Sequence, residues 1–213
     1  MSVAVVRIEK SELPFAAEIV LADTVTGEEL PLRVAETFLR ERSINVGDVI
    51  SDGEAEETVE AARILECAIS GLKLLAYTDN SVRGLGKKLR SRGYDRDCAE
   101  GAADLLSELG YINESAQIER RGRALAERKL RGRRRVTADL AAMGYDRDRI
   151  GEWVRDCGID FSEICARAIE KKGGIPPRDD PDGRRRLMQY LYRQGFGSED
   201  IRAAAVLLAK NDE

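Results

Sequence analysis

The sequence predicts a mainly α protein: three tandem three-helix repeats forming an elongated curved array, preceded by a small β-containing (α+β) N-terminal module. Two observations predict this fold class. A pattern of leucine, three variable residues, glycine and an aromatic residue occurs three times, at equal spacings of 51 residues in a chain of 213. The first sixty residues lack this pattern and contain β-branched runs instead. The predicted segments are 1–60 for the module and 61–112, 113–160 and 161–213 for the repeats.

The N-terminal module is expected to combine short strands with a helix. Its β-branched and apolar runs are short and are separated by turn residues, as in small antiparallel sheets. The module could bind or position a partner, or it could cap the first repeat, and the sequence leaves both functions open. The predicted elements are strands at 3–8, 17–21 and 29–34, a turn at 23–27, a helix at about 34–42, a short strand within 46–51 and a helix from 51 onwards.

Each repeat is expected to contain one helix that ends at the shared glycine and another that begins soon after it. Glycine adopts at low cost the left-handed conformation that commonly follows a helix, and the aromatic residue then packs back onto the core. Asp95 and Asp146 stand where a side chain caps the next helix, with Gly197 and Ser198 as the weaker third version. The repeat signature comprises Leu89, Gly93, Tyr94, Leu140, Gly144, Tyr145, Leu191, Gly195 and Phe196.

Apolar residues within the repeats recur at the spacing of one helix face. A module of about 50 residues buries too little surface to be robust alone, so neighbours should stabilise one another. In the third repeat, the glycines and prolines of residues 173–183 predict a loop. The third helices of the repeats show the periodicity at Ala99, Ala102, Ala103 and Leu106, at Ile150, Trp153, Val154 and Cys157, and at Ile201, Ala204, Ala205 and Leu208. The second helices show it at Val82, Leu85 and Leu89, at Val136, Leu140 and Met143, and at Leu187 and Leu191.

The composition excludes several classes of enzyme. The chain contains no histidine, so it cannot form a Ser-His-Asp triad, a Cys-His pair or an H-E-x-x-H zinc site. Its cysteines form no C-x-x-C pair, which predicts free thiols. No apolar run is long enough to span a membrane and no signal peptide is recognisable, so a cytoplasmic location is expected. We expect no catalytic residue, no metal and no cofactor. The cysteines are Cys67, Cys98, Cys157 and Cys165.

The net charge of −4 hides an uneven distribution of charge. Residues 1–60 carry a net charge of −9, residues 61–135 carry +7 and residues 136–213 carry −2. Nine of the sixteen residues 120–135 are cationic and one is acidic, and a second basic cluster lies at 87–92. Such runs can be solvated helix faces, but this density and the scarcity of acidic neighbours favour an anion-binding surface. The candidate partner-binding residues are Arg120, Arg121, Arg123, Arg128, Lys129, Arg131, Arg133, Arg134, Arg135, Lys87, Lys88 and Arg90.

The anion that this surface binds could be an acidic protein groove or a phosphate backbone, because arginine suits both. A helix, a Gly-Tyr-Asp turn and another helix superficially resemble a helix-turn-helix motif. The helices after the turns are acidic, however, and the DNA major groove would repel them. No aromatic residues interleave with the basic run, which disfavours base stacking on single strands.

Three ordered stretches of the chain resemble the RecX family of bacterial recombination regulators. The first is SVRGLGKKLRSRGY at 81–94, followed by LLSELGYIN at 105–113. The second is RGRRRVTADLAAMGY at 131–145. The third is RRRLMQYLYRQGF at 184–196, followed by EDI at 199–201. The resemblance covers about residues 62–210, and the ordered set is more specific than any one motif.

The resemblance implies a regulator of recombination, DNA repair and the SOS response. RecX proteins bind the RecA filament on DNA along its groove, inhibit ATP hydrolysis and strand exchange by RecA, and promote disassembly of the filament. The implied partners are RecA and, through the basic patch, single- or double-stranded DNA, with a monomer expected and no membrane. A stand-alone nucleic-acid-binding helical-repeat protein is the alternative, and an enzyme is disfavoured. The sequence leaves open whether this member inhibits or activates RecA.

Overall fold

The computed structural model describes residues 2–211 and places most of them in helices. The predicted fold class, mainly α with three-helix repeats and a β-containing N-terminal module, is confirmed. The chain divides into two compact units, Met1–Ile112 and Asn113–Glu213. The four predicted segments remain a prediction.

The first unit opens with a four-stranded antiparallel sheet, as the β-branched runs predicted. The strand order is β3-β2-β1-β4, and Leu21 of β2 pairs with Leu30 of β3. Side chains on one face of this sheet form a core with Val5, Ile19 and Val34 at its centre. The elements are β1 (Ser2–Lys10), β2 (Ala16–Asp23), β3 (Glu29–Ala35), α1 (Glu36–Glu41) and β4 (Val49–Ser51).

A single long helix, α2 (Asp52–Leu75), joins the sheet to the helices that follow. It begins at a capping box, in which the Ser51 hydroxyl accepts from the backbone N–H of Glu54 and the Glu54 carboxylate accepts from the backbone N–H of Ser51. Ala62 packs into the core of the sheet, whereas Ala68 packs against α3 (Val82–Arg90) and α4 (Arg96–Glu108). The helix runs through residue 60 without a break, so the N-terminal module and the first repeat share one helix.

The second unit contains six α-helices and a π-helical segment in its described part. Its residues form two buried clusters. Each cluster includes one large side chain from the set of helices that forms the other cluster. Phe161 from α8 packs with Tyr145 and Ile150, and Leu130, which precedes α6, packs with Leu191. The second and third sets of helices therefore interlock. The elements are α5 (Glu114–Arg123), the π-helical segment (Ala124–Arg128), α6 (Arg133–Ala142), α7 (Arg147–Asp156), α8 (Phe161–Glu170), α9 (Pro181–Gln194) and α10 (Ser198–Asn211).

The three signature motifs form the same turn. Gly93, Gly144 and Gly195 have φ angles of 99°, 91° and 90°, in the left-handed region that favours glycine. In each turn, the N–H of the aromatic residue donates to the carbonyl of the signature leucine, at 3.4, 3.4 and 3.2 Å. Leu89, Leu140 and Leu191 are fully buried. The predicted turn is confirmed in all three repeats.

The predicted caps at Asp95 and Asp146 are also confirmed, whereas the weaker third version differs. Ser198 is the first residue of α10, and the N–H of Gly197 donates to the Asp200 carboxylate at 3.0 Å. The carboxylate of Asp95 accepts from the N–H of Cys98, and that of Asp146 accepts from the N–H groups of Asp148 and Arg149. Of the periodic residues predicted for α4, α7 and α10, all except Ala205 belong to the cores or pack against them. Met143 was expected on a buried face but is 40% exposed, because it lies at the C-terminal end of α6, next to solvent.

Candidate partner-binding surface

The basic run at 120–135 crosses a distorted part of the second unit. It covers the end of α5, the π-helical segment and the start of α6. The N–H of Lys129 donates to the carbonyl of Ala124 at 3.2 Å, which closes the wider π turn. Leu130 then has a φ of 51°, although a side chain disfavours this left-handed conformation. Leu130 is buried, and this packing offsets the cost of the turn.

The start of α6 lies directly against the end of α9. The N–H groups of Gly132 and Arg134 donate to the carbonyls of Gln194 and Gly195, at 2.8 and 3.1 Å. These bonds satisfy first-turn donors that a helix leaves without an internal acceptor. A Cβ atom on Gly132 would lie 2.4 Å from the carbonyl carbon of Gly195, which is too close for any side chain. The contact therefore requires glycine and holds the basic run on a packed support.

Arg131 lies at this contact between α6 and α9, and its side chain is only partly exposed. Its Nη1 donates to the side-chain oxygen of Gln194 at 2.6 Å. Its Nε is buried and has no hydrogen-bond partner among residues 2–211. The side chain thus helps to fix α6 against α9, and we assign it a positioning role.

Arg123 is held by three acceptors within the second unit. Its Nε donates to Glu119, its Nη1 to Glu127 at 3.3 Å and its Nη2 to the carbonyl of Cys157 at 2.8 Å. Hydrogen bonds to Glu119 and Glu127 raise the pKa of Arg123. Hydrogen bonds from Arg123 and Trp153 lower the pKa of Glu119. This network joins α5 to α7 and leaves Arg123 little capacity for a partner.

Two further arginines of the run, Arg133 and Arg135, have internal partners while remaining exposed. The Arg133 guanidinium lies 4.7 Å from the centre of the Phe161 ring, in a cation–π contact. Arg135 pairs with Asp139 at 2.9 Å, one helical turn along α6. Exposed pairs of this kind add little stability and can exchange with a partner.

The remaining cations of the run differ in their surroundings. Arg128, Lys129 and Arg134 are exposed, and their side chains have no ion pair or hydrogen bond in the described chain. We call these three residues the free cation group. Arg120 is also exposed, whereas Arg121 is partly buried and its Nη1 lies 3.9 Å from the sulfur of Met143.

Helix electrostatics distinguish the cations at the start of α6 from those at the end of α3. Arg133, Arg134 and Arg135 occupy the first turn of α6, which contains no acidic residue. Cations at a helix N-terminus oppose the helix dipole and cost stability. Lys87, Lys88 and Arg90 lie instead in the last turn of α3, where the dipole favours cations. Local helix stability therefore does not explain the placement of Arg133, Arg134 and Arg135.

The first-unit cluster lies beside a groove of about 580 Å³ between α3 and α4. Lys87 and Arg90 line this groove, but Lys88 does not. Arg83 and Arg96 also line it, although neither was among the predicted residues. Arg83, Lys87 and Arg90 follow the i, i+4, i+7 spacing of one helix face, a signal that could have identified Arg83.

The acidic and sulfur-containing residues within 2–211 form no recognisable metal site. Among the described residues, no group of three or more cysteine, aspartate or glutamate side chains could hold a metal ion. The four cysteines are free thiols, as predicted, and all are buried. Burial raises the pKa of Cys67 and of Cys165 to about 12, which disfavours the thiolate. Within residues 2–211, no helix is long and apolar enough to cross a membrane.

Comparisons with known proteins identify the family. The model of the RecX third three-helix domain matches residues 160–204. The regulatory protein RecX of Pelodictyon phaeoclathratiforme is 30% identical over 138 residues, which cover 64% of this chain and 85% of that protein. The chain belongs to the RecX family. The RecX protein of Halorhodospira halophila is 29% identical over 161 residues, covering 76% of this chain and 94% of that protein.

Solved RecX structures share the fold. A crystal structure of regulatory protein RecX superposes with a TM-score of 0.63 at 17% identity and covers 94% of this chain and 97% of that chain. RecX from Lactobacillus salivarius superposes with a TM-score of 0.59 at 18% identity, covering 69% of this chain and 97% of that chain. These RecX relatives are named regulatory proteins.

Proposed function

We propose that this RecX-family protein binds the RecA filament on DNA along its groove and inhibits ATP hydrolysis and strand exchange by RecA. Family membership supports a regulatory function. The observation that carries the proposed contact is the free cation group, which lies at the end of the π-helical segment and the start of α6. The protein acts by binding, without catalytic residues or a cofactor, as a cytoplasmic monomer of three repeats with an N-terminal module.

The proposed contact surface centres on the second repeat. Arg128, Lys129 and Arg134 need break no internal ion pair to meet an acidic surface or a phosphate. The backbone N–H of Arg134 is bonded to the carbonyl of Gly195 and that of Lys129 to the carbonyl of Ala124, so little backbone entropy is lost on binding. Arg133 and Arg135 can join the contact by exchanging exposed partners. Arg123 and Arg131 fix the shape of this surface through their hydrogen bonds to other residues of the second unit.

The decisive experiment measures ATP hydrolysis by RecA on single-stranded DNA while the protein is titrated in. We expect a dose-dependent fall in turnover that reaches completion near equimolar protein. Reversal of the free cation group to glutamate should raise the half-inhibitory concentration about tenfold or more, because each lost close charge pair weakens binding. A matched control reverses three other exposed, unpaired cations of the second unit, Arg147, Lys171 and Arg178.

Two results would contradict this proposal. Unchanged RecA turnover at equimolar protein would remove the proposed inhibition. Equal loss of inhibition in both charge-reversal variants would show that net charge, rather than the surface near α6, governs binding. Circular dichroism of each variant verifies that the helices remain folded.

A stand-alone nucleic-acid-binding protein is the second candidate function. Unpaired arginines at a helix N-terminus could contact phosphates equally well. This function predicts tight binding to DNA without RecA, with an affinity that falls steeply as salt increases. Fluorescence anisotropy of labelled single- and double-stranded DNA separates the two functions, because the RecA proposal requires the filament for tight binding.

A further inference from the structure

The sheet of the first unit has an apolar face that α2 covers only in part. Cross-strand partners share a face of a sheet, so Leu30 lies on the same face as its partner Leu21. Leu21 is 2% exposed, whereas Leu30 is 47% exposed. The core of the sheet is therefore open towards solvent beyond Leu21, on the side of the edge strand β3.

This opening forms a cleft of about 480 Å³ between the sheet and the first half of α2. The size is within the range of ordinary binding clefts. Apolar residues form the floor of the cleft, and acidic residues form its rim. The apolar floor consists of Val3, Leu21, Leu30, Ala55 and Val59. The acidic rim consists of Asp23, Glu28, Glu29, Glu56 and Glu60.

Among residues 2–211, the only cation that lines the cleft is Arg63, and its guanidinium is already paired with acidic side chains. Its guanidinium pairs with Glu60 and with Asp95, both at 2.7 Å. These two carboxylates raise the pKa of Arg63. Arg63 therefore cannot neutralise the other carboxylates of the rim.

Three rim carboxylates remain available to a ligand. The Asp23 carboxylate is used locally, because it accepts from the N–H groups of Val25 and Thr26 at 2.7 and 2.8 Å. Glu28, Glu29 and Glu56 are exposed, and within the described chain their side chains have no ion pair or hydrogen bond. They border an apolar floor and carry three negative charges.

We propose that this cleft binds a cationic amphipathic segment of a partner protein. Apolar side chains of that segment cover the floor around Leu30, and its lysine or arginine residues meet Glu28, Glu29 and Glu56. Charge complementarity selects this occupant: the rim repels nucleic acid and acidic surfaces, and the net charge of −9 over residues 1–60 steers cations towards it. Amphipathic helices commonly bind to apolar grooves in this way.

The direct test uses the full-length protein and a labelled synthetic peptide of about 14 residues, with leucines at i, i+3, i+4 and i+7 and lysines elsewhere. Fluorescence anisotropy should show saturable binding that weakens with salt. A peptide of the same composition in scrambled order should bind at least about tenfold more weakly, because it has no continuous apolar face. In NMR spectra, the wild-type protein should show peptide-induced shifts at Val3, Leu30 and Val59.

Two variants separate the cleft from the general charge of the unit. The variant E28Q/E29Q/E56Q removes the available rim carboxylates and should weaken binding about tenfold, as expected for the loss of three exposed charge pairs. A matched control, E12Q/E41Q/E66Q, removes three exposed carboxylates of the same unit that do not line the cleft, and should change the affinity less than about twofold.

Any of three outcomes would overturn the proposal. One is no saturable binding of the amphipathic peptide, and another is equal affinity of both triple variants. The third is a salt-sensitive dimer in sedimentation velocity that E28Q/E29Q/E56Q abolishes, since the occupant would then be a second copy of this chain. RecA inhibition is measured separately, so its outcome does not decide this proposal.

Discussion

Substitution of Gly132 by alanine tests the joint between α6 and α9. The added Cβ would lie 2.4 Å from the carbonyl carbon of Gly195 and 2.4 Å from the backbone nitrogen of Phe196. These neighbours are backbone atoms, so no side-chain rotation can relieve the overlap. Gly132 has φ −74° and ψ 164°, which alanine adopts without strain. The steric contact is thus the only reason for glycine at this position.

The expected loss of stability follows from three contributions. Overpacking of a close contact costs about 1–3 kcal/mol. Separation of the two segments weakens the hydrogen bonds from Gly132 and Arg134, each worth about 0.5–1.5 kcal/mol. Alanine recovers about 0.4–1 kcal/mol by restricting the unfolded chain. We therefore expect Gly132→Ala to destabilise the second unit by about 3 kcal/mol.

Urea denaturation followed by circular dichroism measures this effect. Gly151→Ala is the matched control, because Gly151 lies within α7 and its new Cβ would approach Arg155 Nη1 no closer than 3.7 Å. That control should stabilise the protein by about 0.5–1 kcal/mol, the gain of alanine over glycine in a helix. A Gly132→Ala variant within about 0.5 kcal/mol of the wild type would refute the proposed close approach of α6 to α9.

The other predictions concern charge, a buried hydrogen bond and pH. Glutamate at Arg128, Lys129 and Arg134 should weaken inhibition of RecA about tenfold without lowering the urea midpoint, and a lowered midpoint would instead indicate a structural role. Tyr145→Phe should cost about 1–2 kcal/mol of unfolding free energy, because the buried hydroxyl donates to Gln117 at 2.8 Å. Because the pKa of Glu119 is lower in the folded state than the unfolded value of about 4.5, the ionised carboxylate stabilises the fold above pH 4.5. This stabilisation is lost as the pH falls through the pKa of Glu119 in the folded state. Glu119→Gln should therefore reduce the difference in urea midpoint between pH 7 and pH 3, and an unchanged difference would contradict this linkage.

The repeat architecture was predictable from local patterns. The signature turn needs only residues within six positions of one another, and the φ angles of its glycines agree in all three copies. The β-branched runs also located the strands, because alternation and turn residues act over short distances. The elements were therefore visible in the sequence, whereas their partners in the core were not.

The predicted basic surface shows where the sequence was insufficient. All nine cations of residues 120–135 carry the same charge in the sequence, yet their surroundings differ. Arg131 reaches Gln194, 63 residues away, and Arg123 reaches the carbonyl of Cys157, 34 residues away. These contacts with distant residues distinguish arginines that hold the fold together from arginines without an internal partner. No local sequence pattern predicts such contacts.

The sequence by itself determined the repeat, the absence of histidine chemistry and the separation of acidic and basic segments. These properties depend on composition and on spacings of a few residues. Only the tertiary structure decided which cations remain unpaired and that the apolar face of the sheet stays open beside an acidic rim. Burial and pairing depend on which residues that are distant in the sequence pack together. Patterns that extend over a few residues do not specify these contacts.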